Sequence, residues 1–153
     1  MVITVKEVPP MMFLASVHRT TIPQIAVISD KISPQLFAAA DQNGLSIAGP
    51  MQFHYDGIDA DLTKEFELII AVPIVNKPEC APPPFSLLET EAFPCAALDF
   101  VGPMSEIQRG YLELMAGMKD RNLTMSSRCR EVYKHWVGID SPDNVTELQY
   151  GIA

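Results

Sequence analysis

Positive charge is scarce in this chain of 153 residues. Eleven lysines and arginines stand against 19 aspartates and glutamates, for a net charge of −8. Neutralising nucleic-acid phosphates takes clustered Lys and Arg. The densest basic piece, RCREVYK, is diluted by Glu131, so direct nucleic-acid binding is not expected. An acidic surface draws cations, organic ones included, more readily than anions. Cysteine is also sparse: Cys80, Cys95 and Cys129 make an odd number, and no CxxC occurs. Pro9 and Pro10 interrupt the stretch where a secretory leader would need its apolar run. The thiols therefore read as reduced and the protein as cytoplasmic. No apolar run approaches the ~20 residues of a membrane span, so no membrane partner is expected. His18, His54 and His135 are too far apart for a metal-ligand pattern. No Gly-rich phosphate loop, nucleophile elbow or Cys–His motif occurs. No metal and no cofactor is expected.

Enough apolar sequence is present to build a core. Apolar residues make up 48% and charged residues 20%, ordinary values for a globular protein. VITVKEVPPMMFLASVHR reads as two strand portions bent at Pro9-Pro10. In SPQLFAAADQNG, Ser33 suits a helix N-cap and Pro34 the first helical position, with Asn43-Gly44 as the stop. Leu36, Phe37 and Ala40 give that helix an apolar stripe. SIAGPMQFHYDG reads as a strand ending in a turn, and KEFELIIAVPIV as a buried strand. NKPECAPPPFS holds four prolines and reads as an extended connector over 77–86. Beyond it the order returns. LLETEAFPCAALDFVG is a strand bent at its proline. SEIQRGYLELMAGMKDRNL is a helix, with Ser105 and Gln108 in capping-box spacing and a stop at Asn122. Its buried stripe is Ile107, Tyr111, Leu114, Met115 and Met118. RCREVYKHW and VTELQYGIA close the chain as strands.

The chain thus reads strand–helix–strand–strand twice, as repeat one (1–76) and repeat two (87–153). EVPPMMFLA parallels EAFPCAALD, and FELIIAVPI parallels TELQYGIA. The expected class is α+β: one domain of two duplicated units, with antiparallel sheets, helices outside and a ligand cleft between the repeats.

These residues resemble a known family. The tandem repeat, GPMQFHY and VPIV in the first half, and the E-x-Y strand at 131–133 followed by the acidic loop and T-E strand DSPDNVTEL are similar to the GyrI-like small-molecule-binding domain. The resemblance runs over essentially the whole chain. It implies a duplicated strand–helix–strand–strand fold with a pocket that has a glutamate at its floor and aromatic walls. Carried over, the glutamate is Glu131 and the tyrosine Tyr133. Relatives of this kind serve as effector-binding domains of drug-responsive activators, as binders of hydrophobic cations, or as hydrolases of cyclopropane-containing genotoxins; one antagonises gyrase. Met104 stands where the family often has tyrosine, and Met115 or Met118 where it often has tryptophan, which implies a softer, less aromatic wall.

The residues support the same focus. Alternation along a strand puts Glu131, Tyr133 and His135 on one face and Val132, Lys134 and Trp136 on the other. Glu131 is either a solvated surface acid or a carboxylate at a site, where a cation would offset its desolvation. The ligand set expected is Glu131, Tyr133, Tyr55, Phe53 and Trp136. Tyr55 and Phe53 come from the matching first-repeat strand, with Tyr55 matched to Tyr133 and Phe53 to Glu131. A bulge would be needed to bring Trp136 to that face. Glu67 and Glu147 read as solvated or salt-bridged acids. The expected partner is a hydrophobic, planar, cationic small molecule. No DNA-binding segment is expected ahead of the domain, which makes it a stand-alone binder or protector, and a homodimer stays open. The alternatives are a hydrolase of strained electrophiles, with Glu131 as general base and Tyr133 polarising the leaving group, and a protein-interaction module such as a gyrase or toxin antagonist.

Overall fold

The computed structural model describes residues 2–59 and 61–153. Among them are eight strands and two helices: β1 (Thr4–Val8), β2 (Met12–Thr20), α1 (Ile25–Gln42), β3 (Gln52–Asp56), β4 (Phe66–Pro73), β5 (Ser86–Glu89), β6 (Phe93–Val101), α2 (Ile107–Asp120), β7 (Met125–His135) and β8 (Val145–Ile152). The class is α+β, and every pairing described below is antiparallel.

The chain divides into two compact units, and these cut it differently from the repeats. One unit joins the stretch ending at Pro9 to Ala92–Ala153, and the other is Pro10–Glu91. In the first, strands follow the order β1-β6-β8-β7; in the second, β3-β4-β2-β5. The first short strand of each repeat therefore pairs in the other repeat's unit: Thr4–Val8 lies along Phe93–Ala97, and Ser86–Glu89 along Met12–Ala15. Pro9-Pro10 marks the change of unit and is not a bend within one strand. The second change falls at Glu91/Ala92, not in the triple-proline stretch. Pro94 sits inside β6 opposite Glu7, in a register that runs through it without a shift.

In the first unit, α2 covers one face of the strands. Leu114 and Met118 are fully buried against Ile3, Ala96, Leu98, Phe100 and Leu148, with Ile107 and Tyr111 packed at the margin. Gly110 permits the close approach. A Cβ there would stand 2.9 Å from both Leu148 Cδ1 and Phe100 Cδ1. The helix starts without the expected capping box. Ser105 lies in a short 3-10 turn, Met104–Glu106, and neither that turn nor α2 has a side-chain cap. It stops where expected, at Asn122, whose φ of 56° ends the helical run.

In the second unit, α1 is longer than the sequence suggests. It begins at Ile25, directly after a 3-10 turn over Ile22–Gln24 that carries Pro23 near its start. Pro23, not Pro34, holds the N-terminal role; Pro34 lies inside the helix, where its missing N–H removes one ladder bond. Ser33 is not a cap, and its hydroxyl meets Ser29 Oγ at 3.3 Å. Leu36 and Ala40 are buried as expected, but Phe37 is half-exposed. Among the described residues no helix is long and apolar enough to cross a membrane.

Candidate functional site

β7 positions the candidate site. From Cys129 to Tyr133 its register against β8 is regular: Cys129 faces Tyr150, Glu131 faces Leu148 and Tyr133 faces Thr146. Cross-strand partners share a face, and Leu148 belongs to the core under α2. Glu131 and Tyr133 therefore point to the helix side, and Arg130 and Val132 away from it. Glu131 is no surface acid: only 5% of it is exposed.

Two hydroxyls hold its carboxylate. Tyr133 donates to Oε1 at 2.6 Å, and Tyr111, from α2, donates to Oε2. Hydrogen bonds to an ionised acceptor are stronger than neutral ones, about 1.5–3 kcal/mol each. The pair fixes the carboxylate's orientation and ties α2 to β7. Tyr111 is the residue that sequence reasoning assigned to the core alone. The available signal was its hydroxyl, because a tyrosine on a buried helix stripe needs a polar partner. Beside this cluster Thr146, fully buried, has an Oγ1 without a hydrogen-bond partner.

Trp136 joins the cluster from beyond the strand. The register slips between Tyr133 and His135, which face consecutive residues of β8, Thr146 and Val145. This bulge breaks the simple alternation. His135 leaves the face of Glu131, contrary to the sequence reading, while the indole packs edge-on to Tyr133 with centroids 5.5 Å apart. Trp136 stays half-exposed.

Asn144 holds the loop that follows. Its side chain, fully buried, accepts from the Val137 N–H at 2.8 Å and donates to the Gly138 carbonyl at 2.6 Å. Its own carbonyl accepts from the Gly102 N–H at 3.0 Å. The Asn of the acidic-loop motif is thus a clamp on the chain that carries Trp136. Asn144→Ala should cost about 2–3 kcal/mol, since it orphans buried backbone groups. The indole should then emit further to the red as the loop loosens. An unchanged emission maximum in the folded variant would show that Asn144 does not set the position of Trp136.

Phe53 and Tyr55 stand on β3 in the other unit, both buried. Their rings lie 6.4 Å apart, and Tyr55 is 5.9 Å from Phe66. His54 points to the opposite face, edge-on to Phe13 and 2.8 Å from Gln52 Oε1. The register refines the repeat alignment. Glu131 faces the leucine of Thr-Glu-Leu (Leu148), and it is Tyr55 that faces the leucine of Phe-Glu-Leu (Leu68). By that measure Tyr55, not Phe53, is the counterpart of Glu131. Glu147 is salt-bridged to Lys6 at 2.8 Å, as its sequence setting suggested.

Cys129 lies on the same face as Glu131. Burial, with the Glu131 charge adding to it, pushes its thiol up to about 12. Burial pushes Cys95 up to about 11. Thiols raised above the ordinary 9.0 favour the folded state while protonated. Their stabilising effect is complete below that value and is lost as pH rises through the folded values. Iodoacetamide at about pH 8 should therefore modify only the exposed Cys80 in the native protein, and all three thiols in urea. Native labelling of Cys129 would contradict this burial.

Comparison with known proteins agrees with this fold. A family model described as the GyrI-like small molecule binding domain matches residues 1–148. No curated protein matches the sequence. Among solved structures, the EcmrR C-terminal domain superposes with a TM-score of 0.77 at 15% identity, over 99% of this chain and 96% of that one. SAV2435 bound to tetraphenylphosphonium gives 0.68 at 10% identity, over 100% and 94%. A hydrolase encoded by lin2189 from Listeria innocua gives 0.64 at 16% identity, over 99% and 91%. At these identities the likeness is one of fold.

Proposed function

Since the chain belongs to the GyrI-like small-molecule-binding family, we propose that it binds a hydrophobic, planar organic cation at Glu131, in drug or toxin sensing or protection. The observation that carries this reading is a carboxylate only 5% exposed that accepts hydrogen bonds from two tyrosine hydroxyls. A cationic ligand would offset the cost of desolvating such a carboxylate. Tyr133 and Trp136 offer faces for stacking and cation–π contact. Phe53 and Tyr55, expected from the sequence to be aromatic ligand contacts, belong to the other unit. The net charge of −8 would favour the encounter. SAV2435, a fold neighbour, is known with tetraphenylphosphonium bound, which makes that cation a suitable first probe.

The test is thermal unfolding with tetraphenylphosphonium and with a neutral molecule of the same shape. At about a hundredfold excess over Kd, a ligand of the native state adds about 2.7 kcal/mol. Stabilisation by the cation alone supports the reading. Equal stabilisation by the neutral molecule removes the role given to the charge, and no response to this cation, nor to a planar one tried beside it, removes this ligand class.

A second reading rests on the Tyr133–Glu131 contact of 2.6 Å. It places an acid and a base within proton-transfer reach of each other, as a hydrolase of strained electrophiles would need. A fold neighbour is a hydrolase. Water-added product formed beyond one equivalent per protein would favour this reading; ligand recovered unchanged would favour binding.

A further inference from the structure

The face of β7 turned away from α2 carries a second buried charge, of opposite sign. Arg130 directly precedes Glu131 in the regular part of the strand. It is only 8% exposed. Its guanidinium lies 4.1 Å over the Phe93 ring, and its Nη1 is buried without a hydrogen-bond partner. Among the described residues, the charges that act on it are the Cys95 thiol and a second cation, Arg128. Cys95 supplies no counter-charge, because burial keeps it protonated far above neutrality. Burial also lowers Arg130 to about 10, which still leaves it cationic at neutral pH. Arginine is almost never so buried unless paired, and a desolvated charge without an anion is destabilising.

Its neighbour is also incomplete. Gln149 faces Arg130 across the strands and is 3% exposed. Its Nε2 donates to Glu147 Oε1 at 2.7 Å, while its Oε1 has no partner. Adjacent strands thus present one unpaired cationic donor and one unpaired acceptor. The cross-strand row continues from Gln149 to Ala97 and Thr4. There a cavity of about 300 Å³ opens, lined also by Lys6, Asp99 and Glu147. Both acids of that cavity are already paired, Glu147 with Lys6 and Asp99 with Lys134.

We propose that this face holds a second ligand site, in which Arg130 takes a carboxylate and Gln149 Oε1 accepts a hydrogen bond from a donor on the adjacent carbon. The ligand class is a small organic acid bearing an α-hydroxyl or α-N–H group. The planar guanidinium matches a carboxylate in geometry and charge, and Phe93 offers a ring beneath. Both polar atoms are covered, so the acid reaches them only with a local movement of the side chains above. The site shares no residue with the Glu131 cluster and does not depend on the function proposed for it.

Mandelate and phenylacetate, which differ by one hydroxyl, are the probes. Each is titrated into the full chain while the Arg130 Nε–H and Gln149 side-chain amide resonances are followed by NMR. Mandelate should shift both, and phenylacetate only Arg130, with about tenfold weaker binding for the lost hydrogen bond. Arg130→Met should abolish the response and leave the thermal midpoint unchanged or raised, because it removes an uncompensated charge. Gln149→Leu should erase the difference between the two acids. Glu131→Gln should leave mandelate binding as it is. The proposal falls if neither acid shifts Arg130, if Arg130→Met binds mandelate undiminished, or if the two polar atoms prove to be satisfied by a bridging water that mandelate does not displace. Should Arg130→Met fail to fold, the wild-type titration and Gln149→Leu decide the matter.

Discussion

Glu131→Gln should abolish the stabilisation that a lipophilic cation confers while leaving the protein folded. The amide has the volume of the acid, so the packing around it is kept. One tyrosine hydroxyl can still donate to the amide oxygen. The other, Tyr111 or Tyr133, must rotate and accept from the amide nitrogen, which a hydroxyl can do. The change therefore removes charge with little else. Losing one partner of a buried charge pair costs about 2–5 kcal/mol of binding, or roughly thirtyfold to several thousandfold in Kd. With tetraphenylphosphonium at a concentration that raises the wild-type midpoint by about 5–10 °C, the variant should shift by less than about 1 °C. Trp136, 5.5 Å from Tyr133, gives a second readout, since a bound ligand near Tyr133 should change its emission. Equal affinity in the two proteins would show that the Glu131 charge is not what holds the ligand. Tyr111→Phe and Tyr133→Phe then separate orientation from charge. Each should weaken binding by less than Glu131→Gln, because the anion persists.

The shared face of Glu131 and Tyr133 was legible from sequence because strand alternation set it. The family resemblance added the expectation that this face meets a ligand. Both rest on local order, which the regular register from Cys129 to Tyr133 preserves. What failed did so where order is not local. The bulge after Tyr133 moved His135 off the face of Glu131 and set Trp136 against Tyr133, and no feature of KHW announces the slip. Tyr111 was visible as a stripe residue, but its hydroxyl partner lies 20 residues away on another element. The exchange of β1 and β5 between units was hidden for a similar reason: prolines mark where a strand stops, not which strand the next segment pairs with. Helix starts were the weakest local reading. Ser33-Pro34 and Ser105-x-x-Gln108 both carry N-terminal chemistry, yet α1 begins before Ser33 and the turn before α2 goes uncapped. In α2, packing of the apolar stripe at Leu114 and Met118 outweighs a cap of about 1 kcal/mol.

Phe100→Ala should produce the largest loss of stability, and it should reach the ligand site through α2. Phe100 is fully buried among Leu98, Leu114 and Leu148. Arg109 lies over its ring at 5.5 Å, and Gly110 packs its backbone against the side chain. Deleting a buried phenylalanine ring costs about 3–5 kcal/mol, a large part of the 5–15 kcal/mol a domain holds in reserve. The midpoint should fall by about 10 °C. The cavity would open directly under Gly110, and Tyr111 is the next residue. If the helix settles into the gap, the Tyr111 hydroxyl moves off Glu131 Oε2, and ligand affinity falls even well below the new midpoint. Met118→Ala removes a side chain from the same core cluster two turns further along α2. It should cost about 2–5 kcal/mol as well, yet leave affinity nearly intact, because the helix start stays seated. The pair separates a general loss of stability from displacement of one hydroxyl. Should both variants bind the cation as the wild type does while folded, the seating of α2 on Phe100 does not position Tyr111. Should both lose binding in parallel, the site responds to core stability as a whole and not to the contact at Gly110.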